Sequence, residues 1–208
     1  SNNNANPGIG VNHDGGAIYR TSGTFNADNC TFTSNTARRG GAIHNHNSFN
    51  NIAATISECT FSNNAANDQG GALSIGNGTL NLTDCGFFSN SSRYGGGAIN
   101  SGAIATMTFE RCHFKENVSH DGFFYGKGGA FLMESGGDAL FSNCLFDGNK
   151  SLGMTDEGGG ALMNVYGKLT VVNSTMVNNH SARYGGAISS RSTSITTTLG
   201  WPIPAGQE

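Results

Sequence analysis

The sequence has little charge, no long apolar run and no cysteine pair of the metal-binding kind. Charged residues make up 12% of the 208 residues, and the formal net charge is −3. This balance excludes a nucleic-acid groove or a polybasic membrane patch, because both need clustered lysine and arginine. The apolar runs are only as long as β-strands, so we expect no membrane-spanning segment. No Cys-x-x-Cys or Cys/His cluster occurs, and we predict neither a metal site nor a cofactor.

A catalytic constellation is also missing. The histidines have no nucleophile at a recognisable spacing, and the sequence therefore predicts no catalytic residue and no enzyme. The chain starts at Ser1 without a leader-type segment. We expect a mature product or a fragment of a longer surface protein.

What the sequence does have is a repeat that begins with Gly-Gly-Ala and an apolar residue. Seven copies recur every 25 to 32 residues, at 15–18, 40–43, 70–73, 96–99, 128–131, 159–162 and 185–188. Between them lies a second element, Cys-x-Phe-x-x-Asn. Its copies begin at Cys30, Cys59, Cys85, Cys112 and Cys144, and a relaxed sixth copy has Ser174, Met176 and Asn179.

These repeats predict a solenoid of short strands. Before each cysteine, apolar and polar residues alternate with a period of two, as in Leu80-Asn81-Leu82 and Met107-Thr108-Phe109, which is typical of a half-buried strand. A polar pair then favours a bend, a second strand begins at the cysteine, and a third follows the glycines, which turn a corner. Stacked coils of this length bury a shared interior.

The predicted fold is all-β: a right-handed parallel β-helix of about seven coils, the hand following from the general crossover rule. We assign residues 1–14 to an N-terminal edge or cap segment and 15–194 to the parallel β-helix repeats. Residues 195–208 are assigned to a C-terminal edge strand and a Trp/Pro tail, in which either Trp201 covers the last coil or the end docks on the start of another copy.

Two repeat positions predict ladders of equal side chains inside the column. Five cysteines at one repeat position are expected to be small buried thiols, because parallel stacking suits disulfides poorly and an odd number cannot all pair. The asparagines are expected at coil corners, where Asn accepts left-handed geometry and bonds to the next coil. The cysteine ladder comprises Cys30, Cys59, Cys85, Cys112 and Cys144, and the asparagine ladder Asn35, Asn64, Asn90, Asn117, Asn149 and Asn179.

Several asparagines also begin glycosylation sequons. An inward ladder Asn cannot carry a sugar, so Asn77, which lies between Gly76 and Gly78 in a predicted loop, is the candidate acceptor in a eukaryotic source.

The alternation of GGAI-type and FxxN-type repeats over about residues 15 to 190 resembles the polymorphic outer membrane protein repeats of chlamydial autotransporters. The FxxN copies read FTSN, FSNN, FFSN, FKEN and FDGN, and the sixth departs as MVNN. The resemblance implies an extracellular β-helical passenger that acts in adhesion and can oligomerise. Similar repeats occur in surface proteins of other microbes, and this chain has no membrane barrel sequence of the kind that autotransport requires.

Two surfaces are candidates for function. In the bend column, Glu58, Asp84 and the pair Glu110/Arg111 fall on successive coils, as acids do in polysaccharide-active β-helix enzymes, although solvated corner residues are the commoner case. The second surface consists of two corner insertions on adjacent coils, 118–127 and 150–157, which are expected to touch and to form a recognition surface. Its candidate binding residues are His120, Asp121, Phe123, Phe124, Tyr125, Lys127, Asp156 and Glu157.

The functional hypothesis is an extracellular or cell-surface module of structural or adhesive kind. Its partners would be a host or cell-surface ligand, a glycan, or a second copy joined head to tail into filaments, because the terminal coils look thinly capped. A β-helix polysaccharide lyase or hydrolase and a non-catalytic glycan-binding module are the alternatives.

Overall fold

The computed structural model describes residues 2–5, 13–46, 52–120, 125–154, 158–192 and 194–198, in which every regular element is a strand. The strands form four parallel sheets that run along one solenoid. Sheet 1 holds Ile18–Arg20 (β1), Ile43–Asn45 (β5), Leu73–Ile75 (β9), Ile99–Ser101 (β13), Phe131–Met133 (β17), Leu162–Asn164 (β21) and Ile188–Ser190 (β25). Sheet 2 holds Thr24–Asp28 (β2), Ile52–Ser57 (β6), Gly78–Thr83 (β10), Ala105–Glu110 (β14), Gly137–Ser142 (β18), Lys168–Val172 (β22) and Ile195–Thr198 (β26).

The two remaining sheets are narrower. Sheet 3 holds Thr31–Thr33 (β3), Thr60–Ser62 (β7), Gly86–Phe88 (β11), His113–Lys115 (β15), Leu145–Asp147 (β19) and Thr175–Val177 (β23). Sheet 4 holds Thr36–Ala37 (β4), Ala65–Ala66 (β8), Ser91–Ser92 (β12), Val118–Ser119 (β16), Lys150–Ser151 (β20) and His180–Ser181 (β24). The described residues thus form six complete turns, with β1 before them and β26 after them. The predicted parallel β-helix is confirmed.

Each coil has four strands, where the sequence predicts three. The additional strand, in sheet 4, has two residues and directly follows the ladder asparagine. Its sequence varies from Ala65–Ala66 to Lys150–Ser151, so it shows neither the apolar alternation nor the length by which a strand can be recognised.

The register places equal side chains above one another. Phe61, Phe87 and Phe114 pair in consecutive coils of sheet 3, and their rings stack with centroids 4.9 Å apart and nearly parallel planes. This separation matches the spacing of parallel strands. The column fills the interior together with the apolar residues of sheets 1 and 2.

The five cysteines are free and stand at one position of successive coils. Cys59, Cys85, Cys112 and Cys144 are buried, whereas Cys30 is exposed. The Sγ of Cys85 contacts the carbonyl oxygen of Thr83 at 3.3 Å, and the other buried thiols of the following coils make the same kind of contact.

The asparagines form a continuous amide ladder. In each rung the backbone N–H and the side-chain Nδ2 of one Asn donate to the Oδ1 of the next, as from Asn90 to Asn117 at 3.0 Å each. Asn117 Nδ2 also donates to the carbonyl of Phe87 at 2.9 Å. The ladder also includes Asn3, whose N–H and Nδ2 donate to Asn35 Oδ1, a rung that the repeat motif did not predict.

At the coil corner beside the asparagine ladder, the residue with left-handed backbone geometry is not the ladder asparagine. The prediction that the asparagine would adopt this geometry is wrong. The residue before it has positive φ, as at Ser89 and Glu116 with φ of 53° and 56°. The ladder Asn can then point inward while its neighbour turns the chain. A second left-handed position lies in the predicted bend before each cysteine, for example at Asp84 and Arg111.

The glycine pairs turn the corner into sheet 1, as predicted. The first glycine has positive φ, such as 61° at Gly96. A Cβ on the second, Gly97, would lie 2.0 Å from the carbonyl oxygen of Gly129 in the next coil, so only glycine allows the coils to approach this closely.

Candidate functional site

The acidic bend column is a surface ion-pair network. Arg111 makes a bidentate contact with Asp84, with both N–O distances 2.8 Å, and lies 3.2 Å from Glu110. The hydrogen bond from Arg111 lowers the pKa of Asp84, and a hydrogen bond from Asn143 is the main cause of the lowered pKa of Glu110. A glycosidase acid needs a raised pKa. Neither of these two carboxylates has the raised pKa that the general acid requires.

The two corner insertions are in contact with each other. Ser151 Oγ donates to the carbonyl of Gly126 at 2.6 Å, and a Cβ on Gly153 would lie 2.4 Å from the nitrogen of Gly126. Of the predicted binding residues, His120, Tyr125 and Lys127 are described. The remaining five, Asp121, Phe123, Phe124, Asp156 and Glu157, lie outside the described residues.

The three described residues of the insertion line two different surfaces. His120 borders a wide, shallow groove of about 800 Å³ over sheet 4, together with Arg93 and Val118. Tyr125 and Lys127 line a cavity over sheet 1 instead. The groove over sheet 4 and the cavity of Tyr125 and Lys127 are both open to solvent.

A deeper site lies on the outer face of sheet 1. The middle residue of each strand points away from the core, as Leu132 and Met163 show by packing in a separate cluster, yet His44, Ser74 and Asn100 in this column are at most 4% exposed. Corner residues on both sides cover them and form a trough. The trough is lined by Arg39, His44, His46, Gln69, Ser74, Tyr94, Asn100, Tyr125, Lys127 and Glu134.

Two adjoining cavities make up this trough, and Gln69 and Glu134 line both. Gln69 Nε2 donates to Glu134 Oε2 at 2.7 Å across two coils, and Asn100 Nδ2 donates to Gln69 Oε1 at 3.2 Å. The wide cavity, about 320 Å³, contains Tyr94, Tyr125 and Lys127 beside this bridge. The narrow cavity, about 120 Å³, contains Arg39, His44, Ser74 and Asn100.

The wide cavity has an aromatic wall. The rings of Tyr94 and Tyr125 meet edge to face with centroids 5.6 Å apart, and the guanidinium of Arg93 lies 5.1 Å from the centroid of the Tyr94 ring. Tyr125 is half exposed. The tyrosine pair offers an apolar face together with hydroxyl groups, next to the amide of Gln69 and the carboxylate of Glu134.

A buried charge cluster supports the other end of the trough. Asp14 Oδ2 lies 3.2 Å from Arg38 and 3.0 Å from Arg39, and Arg38 also reaches Asp68 at 3.3 Å. Burial acts to raise the pKa of Asp14, but the arginine contacts and His44 outweigh it and the pKa is lowered. Burial raises the pKa of Asp68.

His44 is a neutral imidazole at pH 7. Burial lowers its pKa to about 4, although Asp14 acts in the opposite direction. Its Nε2 lies 3.6 Å from Asp14 Oδ2, which is beyond hydrogen-bond distance. Within the described part of the chain, neither ring nitrogen of His44 and not the Oδ1 of Asn100 has a hydrogen-bond partner.

Sequence reasoning did not identify this trough. The residues that line it fall before the glycine pair, in the middle of the sheet 1 strands and after those strands, and they differ from coil to coil. Asn77, the glycosylation candidate, is half-buried at the bend before β10. Among the described residues there is no group of three potential metal ligands, and no helix is long and apolar enough to cross a membrane.

Comparison with known proteins identifies one family. The family model described as right handed beta helix region matches residues 1–199. Among curated proteins, none matches the chain.

Proposed function

The chain belongs to the right-handed β-helix family, a fold shared by surface proteins and polysaccharide-active enzymes, and from this premise we propose that it is a carbohydrate-binding adhesive module that does not cleave its ligand. The glycan would lie in the trough over sheet 1. The observation that carries this proposal is the wide cavity, where the Tyr94/Tyr125 pair adjoins the hydrogen-bonding side chains of Gln69 and Glu134.

Sugar rings have apolar C–H faces and polar edges. An aromatic wall suits the faces, and fixed amide and carboxylate groups suit the hydroxyl groups. The solenoid supplies rigidity, because the ladders and stacked rings hold each coil in register, and little ordering is therefore needed on binding. The trough also runs across several coils, as an extended chain requires.

The carboxylate content of the trough favours binding over hydrolysis. Glycosidases use two carboxyl groups that flank the scissile bond. Among the described residues that line the two cavities, Glu134 is the only acid, and its Oε2 already accepts the amide of Gln69. In the bend column, Arg111 holds Asp84 and Glu110.

The repeats support a location at the cell surface. Their GGAI and FxxN motifs resemble those of chlamydial surface passengers, which implies export and adhesion. We extend this to the present chain as part of the proposal, with a glycan of a host or neighbouring cell as the ligand.

A glycan array followed by calorimetry with the best ligand tests the proposal. We expect Tyr125→Ala to weaken binding about tenfold, the change that about 1.4 kcal/mol of lost contact produces. Tyr166→Ala is the matched control, because Tyr166 is exposed and lines neither cavity. Equal affinities for the two variants would contradict the proposed site, and turnover of the glycan that Glu134→Gln abolishes would establish an enzyme instead.

A further inference from the structure

The narrow cavity of the trough contains buried polar groups that the fold leaves unused. His44 is 3% exposed and Asn100 1%, and both line the cavity. The two ring nitrogens of His44 and the Oδ1 of Asn100 have no hydrogen-bond partner in the described part of the chain. Buried polar atoms are nearly always paired in proteins, and an unpaired set at one cavity indicates a ligand or ordered water.

We propose that the narrow cavity is a specificity pocket that receives two adjacent hydroxyl groups of an uncharged sugar unit. This inference rests on the proposed function, since the sugar is part of the glycan held at the Tyr94/Tyr125 wall. The two cavities share Gln69 and Glu134, so one ligand can occupy both.

The hydrogen-bonding groups suit hydroxyl groups. A neutral imidazole has one donor and one acceptor nitrogen, the Asn100 Oδ1 is an acceptor, and Ser74 can do either. A hydroxyl group both donates and accepts, and two neighbouring hydroxyls can therefore satisfy His44 and Asn100 together. A site built in this way rejects an analogue that lacks one hydroxyl, because its own polar atoms are then left buried and unpaired.

The charges that line the cavity are balanced. Among the described lining residues Arg39 is the one lysine or arginine, and it contacts Asp14 at 3.0 Å. Glu134 is the one acid among the same described residues, and its Oε2 accepts from Gln69. Because Asp14 engages Arg39 and Gln69 engages Glu134, neither charge is free to select a charged ligand, and the cavity favours neither a uronic acid nor an amino sugar.

The volume sets the size of the group that enters. With about 120 Å³ and about 30 Å³ for each water, the cavity has room for about four water-sized groups. This is enough for the hydroxylated edge of one sugar, while the ring itself would lie in the wider cavity beside it.

The test uses the full chain on an array of oligosaccharides that contain neutral hexoses, uronic acids or amino sugars. We expect neutral glycans to bind best. For the best of them, each single deoxy analogue is then measured by calorimetry, and we expect two adjacent positions at which loss of the hydroxyl lowers affinity about tenfold or more. Asn100→Leu, which removes the unpaired oxygen, is expected to remove this discrimination.

Glu134→Gln provides a second variant that keeps the side chain's shape. It removes the carboxylate among the described lining residues, which repels an anionic ligand, and we expect binding of uronic acid glycans to rise about threefold or more relative to neutral ones. The pocket proposal would be overturned if Glu134→Gln did not change the ratio of uronic acid to neutral glycan binding and Asn100→Leu still discriminated against the deoxy analogues. If Tyr125→Ala still weakened binding in that case, the proposed function would stand without the pocket. An array that binds no glycan would overturn the proposed function itself and the pocket with it.

Discussion

Replacing Asn117 by alanine tests how much the asparagine ladder contributes to stability. Asn117 is fully buried and its side chain makes four hydrogen bonds. Its Nδ2 donates to Asn149 Oδ1 and to the Phe87 carbonyl, both at 2.9 Å, and its Oδ1 accepts the N–H and the Nδ2 of Asn90 at 3.0 Å each. Each hydrogen bond contributes about 1 kcal/mol, and the variant leaves the Asn90 N–H buried and unpaired. We therefore expect the free energy of unfolding to fall by about 4 kcal/mol.

The matched control is Asn179→Ala at the last rung. Its side chain makes the same kinds of contact, donating to the Phe146 carbonyl and accepting from Asn149, but the residue is only half-buried, so water can replace part of what is lost. We expect a loss of about 1 kcal/mol.

Urea unfolding followed by far-UV circular dichroism measures both variants against the wild type. The urea concentration at the unfolding midpoint should fall much further for Asn117→Ala than for Asn179→Ala. The dependence of the unfolding free energy on urea concentration should not change. Similar losses for the two would refute the reasoning, because the ladder's contribution would then not depend on burial.

Four further outcomes are expected. The pKa of His44 falls from 6.5 to about 4 on folding, so between these pH values the unfolded chain binds one more proton than the folded chain. The free energy of unfolding should therefore decrease by up to about 3 kcal/mol as the pH falls from 6.5 to 4. In urea titrations at several pH values, His44→Gln should reduce this pH dependence. Gly97→Ala, whose Cβ would meet a carbonyl oxygen at 2.0 Å, should unfold the protein or cost more than about 4 kcal/mol, whereas Gly102→Ala, with its nearest atom at 3.4 Å, should keep the wild-type melting temperature within a few degrees. A thiol-alkylating reagent should modify the exposed Cys30 in the native protein but reach the buried Cys112 only on unfolding, and mass spectrometry of labelled peptides would contradict this by showing equal rates. Head-to-tail association predicts that the sedimentation coefficient rises with protein concentration in sedimentation velocity. A monomer at every concentration would contradict this association.

The sequence predicted most of the fold because the core repeats. Phe87 and Phe114 stand at the same motif position, and residues that must stack in register have to be alike in every coil. The glycine corners follow from the same constraint, since Gly97 is fixed by contact with the next coil.

The details that do not repeat could not be predicted. Glu116 has left-handed backbone geometry, and the equivalent corner residues of the adjacent coils are Ser89 and Gly148. No single residue type therefore marks this position in the sequence. The trough is a similar case. Asn100 and Glu134 lie in columns with unlike residues, and the bridge from Gln69 to Glu134 joins residues two coils apart. Recognition depends on such differences between coils, whereas the motif search depends on their likeness.

The most direct measurement of the central claim is an NMR experiment on the chain saturated with the neutral oligosaccharide that it binds best. Intermolecular NOEs should connect the sugar ring protons to the aromatic protons of Tyr94 and Tyr125. NOEs confined to residues of the sheet 4 groove, such as Val118 and His120, would contradict the assignment of the trough as the binding site.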